Sequence, residues 1–132
     1  MPKVETISIQ SGADIVLVRQ AVRQLAIELG FSLIDQTKIV TAASELARNT
    51  LDYGGGGTVQ LEALFEGIRR GLRLTFEDTG PGISDIELAL KDGYTTGKGL
   101  GMGLGGTKRL VNEFNIVSRV GEGTCITITK WR

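Results

Sequence analysis

A glycine-rich stretch, residues 97–106, constrains the fold more than any other part of this chain. Glycine occupies every second position from Gly97 to Gly105 and also Gly106. Residues without a Cβ atom permit positive φ, so successive backbone amides can converge on an anion. A helix is predicted over residues 107–114, and its N-terminus would add partial positive charge. The stretch therefore predicts a phosphate-binding loop. A flexible linker, the alternative, seldom carries leucine and methionine at alternate positions.

Two familiar phosphate loops fit this stretch poorly. Residues 93–98 resemble a Walker A loop. However, three residues instead of four separate Gly93 from the Gly-Lys pair, and Gly99 follows that pair where Ser or Thr is required. Gly101, Gly103 and Gly106 match the dinucleotide-binding pattern GxGxxG. That pattern must follow a core strand, whereas the preceding segment is polar and does not alternate. The P-loop is thus excluded and the dinucleotide match is weak.

Composition limits the chemistry available to the chain. Its 132 residues suit one domain, residues 1–132, and its 15 basic and 15 acidic residues give zero net charge with no basic patch for nucleic acid. The absence of histidine excludes an imidazole base or a histidine metal ligand. Cys125 is the single cysteine, so no internal disulfide can form. With no long apolar run or leader sequence, we expect a cytoplasmic protein that does not contact the membrane.

The first half of the chain predicts a strand and two helices. Residues 4–10 alternate as a strand does, and residues 13–29 place apolar side chains at three-four spacing until Gly30 ends the helix. A second helix is predicted from Asp35, as its N-cap, to Tyr53, where four glycines follow.

The second helix carries a polar stripe. Thr41, Glu45, Asn49 and Asp52 are spaced four, four and three residues apart, so Glu45 and Asn49 project side by side. A solvated helix face would show the same spacing, and the spacing alone leaves both interpretations open.

Residues 59–66 and 72–78 alternate as two strands of a hairpin joined through residues 67–71. If Leu72, Leu74 and Phe76 face the core, Asp78 shares their face at the end of the second strand. A carboxylate aimed inward needs donors, so Asp78 either caps local backbone amides or accepts an N–H group from a ligand. Gly80 and Gly82 follow it and are expected to keep the space beside it open.

The last third of the chain completes the predicted fold. Ser84 and Glu87 form a capping box for a short helix, and residues 115–120 and 123–131 form a final hairpin. Thr124 shares its face with the isoleucines two and four positions later, so its hydroxyl points inward. The element order predicts an α+β two-layer sandwich, with helices on one face of a mixed, mostly antiparallel sheet.

Together these features resemble the Bergerat-fold (GHKL) ATPases, the superfamily of type II topoisomerases, Hsp90, histidine kinases and MutL, in which such blocks occur in this order. The resemblance covers the whole chain. Within the superfamily, ELARNTLDYGGGG (residues 45–57) and GLGMGLGGTKRLVNEF (residues 99–114) look like the RsbT-like serine/threonine kinases of bacterial partner-switching and stressosome pathways.

The resemblance implies an ATP site with assigned roles. Asp78 would accept a hydrogen bond from the adenine amino group, with Thr124 and a water nearby, while Gly80 and Gly82 would line the ring. Asn49 would ligate Mg²⁺ through its amide oxygen, which suits an ion that keeps several waters. Glu45 would be the general base. The phosphates would be held by Lys98 and by the backbone amides of Gly99, Leu100, Gly101, Met102, Gly103 and Leu104.

The resemblance also implies partners. The expected activity is ATP-dependent phosphorylation of a STAS-domain antagonist, followed by binding of a PP2C-type phosphatase or a similar regulatory target. Two departures from superfamily patterns matter. Asp52 and Tyr53 stand where many members carry His or Lys, and histidine kinases usually lack an acid at the Glu45 position, so Glu45 favours attack by a hydroxyl or by water. A non-catalytic nucleotide-gated binding module and a bare ATPase are the alternatives.

Overall fold

A computed structural model describes residues 4–83 and 103–132 of this chain. The described elements, in chain order, are β1 (Val4–Ile9), α1 (Gly12–Glu28), α2 (Leu33–Asp52), β2 (Gly57–Glu66), β3 (Arg69–Asp78), α3 (Gly103–Lys108), β4 (Glu113–Arg119) and β5 (Gly123–Trp131). The predicted strands and the first two helices are confirmed to within about three residues at their ends. The short helix predicted after Ser84 lies outside the described residues.

The five strands form one sheet in the order β1-β2-β3-β5-β4. All four pairings among the described strands are antiparallel, so the α+β prediction is confirmed, while the parallel pairing implied by a mixed sheet is not found in this part of the chain. Because β5 lies between β3 and β4, the chain crosses over after β3 to reach the edge of the sheet.

The helices cover one face of the sheet. Helix α1 packs against α2 and β1, and α2 packs against β2, β3 and α3. Strand alternation points one set of apolar side chains at these helices, and the buried members include Ile9, Val59, Leu61, Leu72, Leu74, Phe76, Ile126 and Ile128. No helix in the described ranges has both the length and the hydropathy needed to cross a membrane.

The hairpin between β2 and β3 is tighter than predicted. Glu66 pairs directly with Arg69, so the turn contains Gly67 and Ile68 alone. Gly67 has a φ of 60°, which suits the first central position of a two-residue hairpin turn. Residues 69–71, which were predicted to belong to the loop, instead continue β3, because their backbone groups pair with β2.

Helix α2 begins before the predicted cap. Ser32 is the N-cap, and its Oγ accepts a hydrogen bond from the backbone N–H of Asp35 at 3.1 Å. The Asp35 carboxylate instead lies 3.6 Å from Nζ of Lys130, which is almost fully buried at the end of β5. The predicted cap was wrong because Ser32, three residues earlier, caps the helix and leaves Asp35 inside its first turn.

The helix after the glycine-rich stretch is shorter than predicted. It spans Gly103–Lys108, so it starts where the glycine-rich stretch led us to expect but ends before residue 114, the predicted end. The backbone N–H of Asn112 donates to Thr129 on β5 at 3.0 Å, and Phe114 already pairs with Ile128 in the sheet. Sheet pairing and burial of Phe114 against the core therefore override the helical pattern.

The central apolar row predicts a large penalty for truncating Leu74, which is fully buried. Leu74→Ala should lower the free energy of unfolding by about 2–5 kcal/mol, because it loses buried methyl groups and leaves a cavity. Urea unfolding followed by circular dichroism would measure this. Ile68→Ala is the control, since Ile68 is 97% exposed in the hairpin turn and should change stability by less than about 0.5 kcal/mol. Equal effects of the two substitutions would contradict the assigned core.

Candidate functional site

A row of four residues crosses the sheet where β3 ends. Gly57 on β2 pairs with Asp78, Asp78 pairs with Thr124 on β5, and Thr124 pairs with Ser118 on β4. All four lie on the face that the helices cover, two residues beyond the apolar row that contains Phe76. The interior therefore changes from apolar to polar at this end of the sheet, which is where a polar ligand could enter.

Asp78 is the acidic member of this row, and it is half-buried as its parity predicted. Its Oδ1 accepts a hydrogen bond from the backbone N–H of Gly80 at 2.9 Å. Among residues 4–83 and 103–132, its other oxygen, Oδ2, has no hydrogen-bond donor. The sequence had left a backbone cap and a ligand acceptor as alternatives. The cap occupies one oxygen and leaves the second available to a donor.

Gly54 lies directly against the Asp78 side chain. A Cβ atom on Gly54 would overlap the Asp78 carboxyl group, reaching 2.7 Å from Oδ2. The backbone of Gly54 is itself held by the end of α2, since its N–H donates to the carbonyl of Asn49 at 3.2 Å. In the sequence, the four glycines after α2 indicate only the end of the helix. The run of glycines was the available signal, because a helix needs one glycine to end and not four.

Gly80 and Gly82 lie in the loop that follows Asp78. A Cβ atom on Gly80 would lie 2.7 Å from the Cα of Gly54, and one on Gly82 would overlap the carbonyl of Arg119. Gly82 also has a φ of 77°. Close backbone packing therefore requires glycine at both positions, and their contact with a flat ring stays a prediction.

Glu45 and Asn49 lie one turn apart on α2, and both are half-buried. Neither side chain forms a hydrogen bond or an ion pair with any described residue. The next residue, Thr50, is buried, and its Cγ2 lies close to Gly57 in the row that contains Asp78. The last turn of α2 therefore rests on the polar end of the sheet, which brings Asn49 toward Asp78.

The glycine-rich stretch is described only at its end. Lys98, Gly99, Leu100, Gly101 and Met102 lie outside the described residues. Gly103 begins α3, and Leu104 in its first turn is only 7% exposed. The burial of Leu104 places its side chain in the core, and its contribution to a phosphate site would have to come from its backbone amide. Since α3 packs against α2, the stretch ends beside the helix that carries Glu45 and Asn49.

Thr124 is half-buried and turned inward, as predicted. Its Oγ1 lies 2.8 Å from Oγ of Ser118, and Ser118 also accepts a hydrogen bond from the backbone N–H of Ile83 at 2.7 Å. Ser118 is a member of this row that the sequence motifs do not indicate. Its parity with Phe114 and Ile116 on β4 would have placed its hydroxyl on the inner face.

Two other groups bear on chemistry. Burial, followed by the nearby charge of Glu77, raises the pKa of the Cys125 thiol, so this thiol stays protonated and weakly nucleophilic at neutral pH. Within the described ranges, no three acidic, cysteine or histidine side chains cluster to hold a metal.

Comparison with known proteins agrees with this geometry. The chain is 49% identical, over 118 residues, to the serine/threonine-protein kinase RsbT of Bacillus subtilis, with 89% of each chain covered. It is 32% identical to an anti-sigma F factor of Anoxybacillus flavithermus, with 85% of this chain and 80% of that one covered.

A solved structure of the RsbU and RsbW domains of Rv1364c from Mycobacterium tuberculosis shares the fold, with a TM-score of 0.67 and 24% identity. The match covers 100% of this chain and 33% of that longer one. Residues 34–132 match the family described as histidine kinase-, DNA gyrase B-, and HSP90-like ATPase. The paired helix side chains, the inward aspartate and the glycine-rich stretch all fall within that range, and the chain belongs to this ATPase family.

Proposed function

We propose that this chain is an ATP-dependent protein serine/threonine kinase of a bacterial partner-switching or stressosome pathway. The observation that supports the proposal is the packing of the end of α2 against the polar end of the sheet: Gly54, whose N–H donates to the Asn49 carbonyl, lies against the Asp78 side chain. The 49% identity to a protein serine/threonine kinase supports the reaction type.

The adenine base would bind beside Asp78. The free oxygen of this carboxylate would accept a hydrogen bond from the adenine amino group, while its partner oxygen stays on Gly80. Thr124, its neighbour across the β3–β5 ladder, would hydrogen-bond the base directly or through a water. A charged acceptor is worth about 1.5–3 kcal/mol and disfavours guanine, which presents a carbonyl oxygen at the corresponding position.

Glu45 and Asn49 suit the reacting end of the nucleotide. Bound Mg²⁺ would offset the charge of the phosphates, and the Asn49 amide oxygen would be its protein ligand. Glu45, one turn earlier, would accept the proton of the attacking serine or threonine hydroxyl. The hydroxyl oxygen then bonds to the γ-phosphorus as the bridging bond to ADP breaks. Lys98 and the amides of residues 99–104 would hold the phosphates.

The proposed substrate is a STAS-domain antagonist, and the proposed downstream target is a PP2C-type phosphatase or a similar regulatory protein in the cytoplasm. Similarity to a protein named an anti-sigma factor supports a regulatory protein as the partner.

Replacing Glu45 tests the general-base role. Glu45→Gln keeps the size and polarity of the side chain but removes its basic oxygen, so phosphate transfer should fall by about 10²–10⁴-fold while Mg-ATP binding persists. Transfer of labelled γ-phosphate to a cognate STAS-domain protein would measure the rate. Glu66→Gln is the matched control, because Glu66 is exposed at the far end of β2. Undiminished transfer by Glu45→Gln would refute the assignment.

Replacing Asp78 tests the adenine contact. Asp78→Asn can still accept the Gly80 N–H, but it places an amide donor where Oδ2 would meet the adenine amino group. The affinity for ATP should fall at least about tenfold, which corresponds to about 1.4 kcal/mol. Calorimetric titration would measure the dissociation constant, and an unchanged value would leave Asp78 with the backbone cap alone.

Gly54→Ala tests the same site from the opposite side. The added methyl group would overlap the Asp78 carboxyl and displace it, so ATP affinity should again fall by about tenfold, although no polar group is altered. Gly12→Ala is the control, since a Cβ on Gly12 meets nothing within 4 Å. If Gly54→Ala binds ATP as tightly as Gly12→Ala, Asp78 does not set the affinity.

A further inference from the structure

The tip of the β2–β3 hairpin carries apolar side chains that the fold itself does not use. Ile68 is 97% exposed and Phe65 is 56% exposed. Gly67 supplies the positive φ of the turn, and no residue other than glycine in the described part of the chain has one. A positive φ at the first central position alone defines a type II′ turn, which makes no demand for an apolar residue at the second. The turn therefore gives no reason for an isoleucine at position 68.

Phe65 lies on the core-facing side of β2 but is not covered by the helices. Strand alternation places it in the same row as Val59 and Leu61, which are fully buried. Phe65 continues this row toward the turn, yet more than half of it is exposed. The end of the hairpin, from Phe65 to Arg70, therefore extends beyond the buried core.

Contacts on the outer face of the sheet hold the tip in one shape. Gly71 leaves room for the ring of Trp131, since a Cβ atom there would lie 2.6 Å from that ring. The guanidinium of Arg69 lies 4.0 Å from the centre of the Trp131 ring, and the indole N–H donates to Glu113 at 2.8 Å. A preorganised apolar projection loses little conformational entropy when a partner covers it.

The charges at the tip indicate the chemistry of that partner. Arg69 and Arg70 are both exposed. Arg69 lies 4.0 Å from the carboxylate of Glu66, and the guanidinium of Arg70 pairs with no carboxylate in the described ranges. Two basic residues against one acidic residue make the tip positive, although the whole chain has zero net charge. An apolar pocket bordered by carboxylates complements this surface.

The tip lies far from the groups proposed to act on ATP. Strand β3 runs from Arg69 to Asp78, which separates the tip from the base end of the site by about 30 Å. On α2, Glu45 lies about 15 Å beyond Asp35, which pairs with Lys130 at the tip's end of the sheet. The substrate hydroxyl must reach Glu45, whereas the downstream target is bound and not phosphorylated. The tip therefore suits the target better than the substrate.

We propose that the hairpin tip, residues 65–70, is the docking surface for the downstream target. This target, the PP2C-type phosphatase, covers Phe65 and Ile68 with an apolar pocket bordered by carboxylates. The inference rests on the partners named in the proposed function, and it assigns the two partners to different ends of the molecule.

Replacing Ile68 tests the apolar contact. Ile68→Glu removes the apolar side chain and opposes a carboxylate to those of the partner, so the dissociation constant for the cognate phosphatase should rise at least about tenfold. Calorimetric titration would measure it. Val120→Glu is the matched control, because Val120 is 69% exposed in the β4–β5 turn at the other end of the sheet. The control should bind within about threefold of the wild type, and equal affinity of the two variants would overturn the inference.

Two substitutions of Arg70 test the charge of the partner. Arg70→Glu should weaken phosphatase binding by about tenfold, whereas Arg70→Lys keeps the positive charge and should stay within about threefold of the wild type. Thermal unfolding of both variants shows that the comparison is made on folded protein. If Arg70→Glu binds as tightly as Arg70→Lys, the partner does not present carboxylates to the tip and the inference is wrong.

Phosphate transfer identifies which proposal fails. Ile68→Glu should transfer labelled γ-phosphate to the cognate STAS-domain protein within about twofold of the wild-type rate. If it loses transfer together with phosphatase binding, the tip is not specific for the target and the inference fails. If the wild type transfers no phosphate while phosphatase binding still depends on Ile68 and Arg70, the kinase activity fails and the docking surface stands. If the wild type binds no phosphatase, the docking surface fails and the transfer assay alone decides the kinase activity.

Discussion

The contact between the Asp78 side chain and the Gly54 backbone joins the two halves of the proposed site. It brings the end of α2 against the end of β3 so closely that no side chain larger than glycine fits between them. Because Gly54 is hydrogen-bonded to the carbonyl of Asn49, the same contact fixes where the last turn of α2 lies. The carboxylate at the base end and the polar pair on α2 are therefore positioned by one another.

The polar end of the sheet is stable because its groups are mutually satisfied. Asp78 caps Gly80 through one oxygen, and Ser118 satisfies Ile83 and Thr124. Among the described residues, no fully buried side-chain polar atom lacks a hydrogen-bond partner. The cost of burying polar groups is thus offset locally. Within the described part of the chain, one oxygen of the half-buried Asp78 carboxylate is still left without a donor.

The residues of the proposed site lie partly on the sheet and partly on helix α2. The antiparallel ladder aligns Asp78, Thr124 and Ser118 in one row, and this spacing depends on strand register. Glu45 and Asn49 lie on helix α2, which is held by apolar packing against the sheet. The ion pair between Asp35 and Lys130 ties the far end of α2 to β5. The residues proposed to contact the base therefore lie on the sheet, and those proposed to act at the phosphates lie on the helix.

The amino-acid sequence by itself determined the strand faces, the two long helices and the inward direction of Asp78 and Thr124, because side-chain periodicity is a local property. It also placed Glu45 beside Asn49, since residues four apart share a helix face. Only the tertiary structure decided that α3 ends at Lys108 and that Gly54 packs on Asp78. Those outcomes depend on Thr129 and the end of β3, groups distant in sequence whose positions no local pattern encodes.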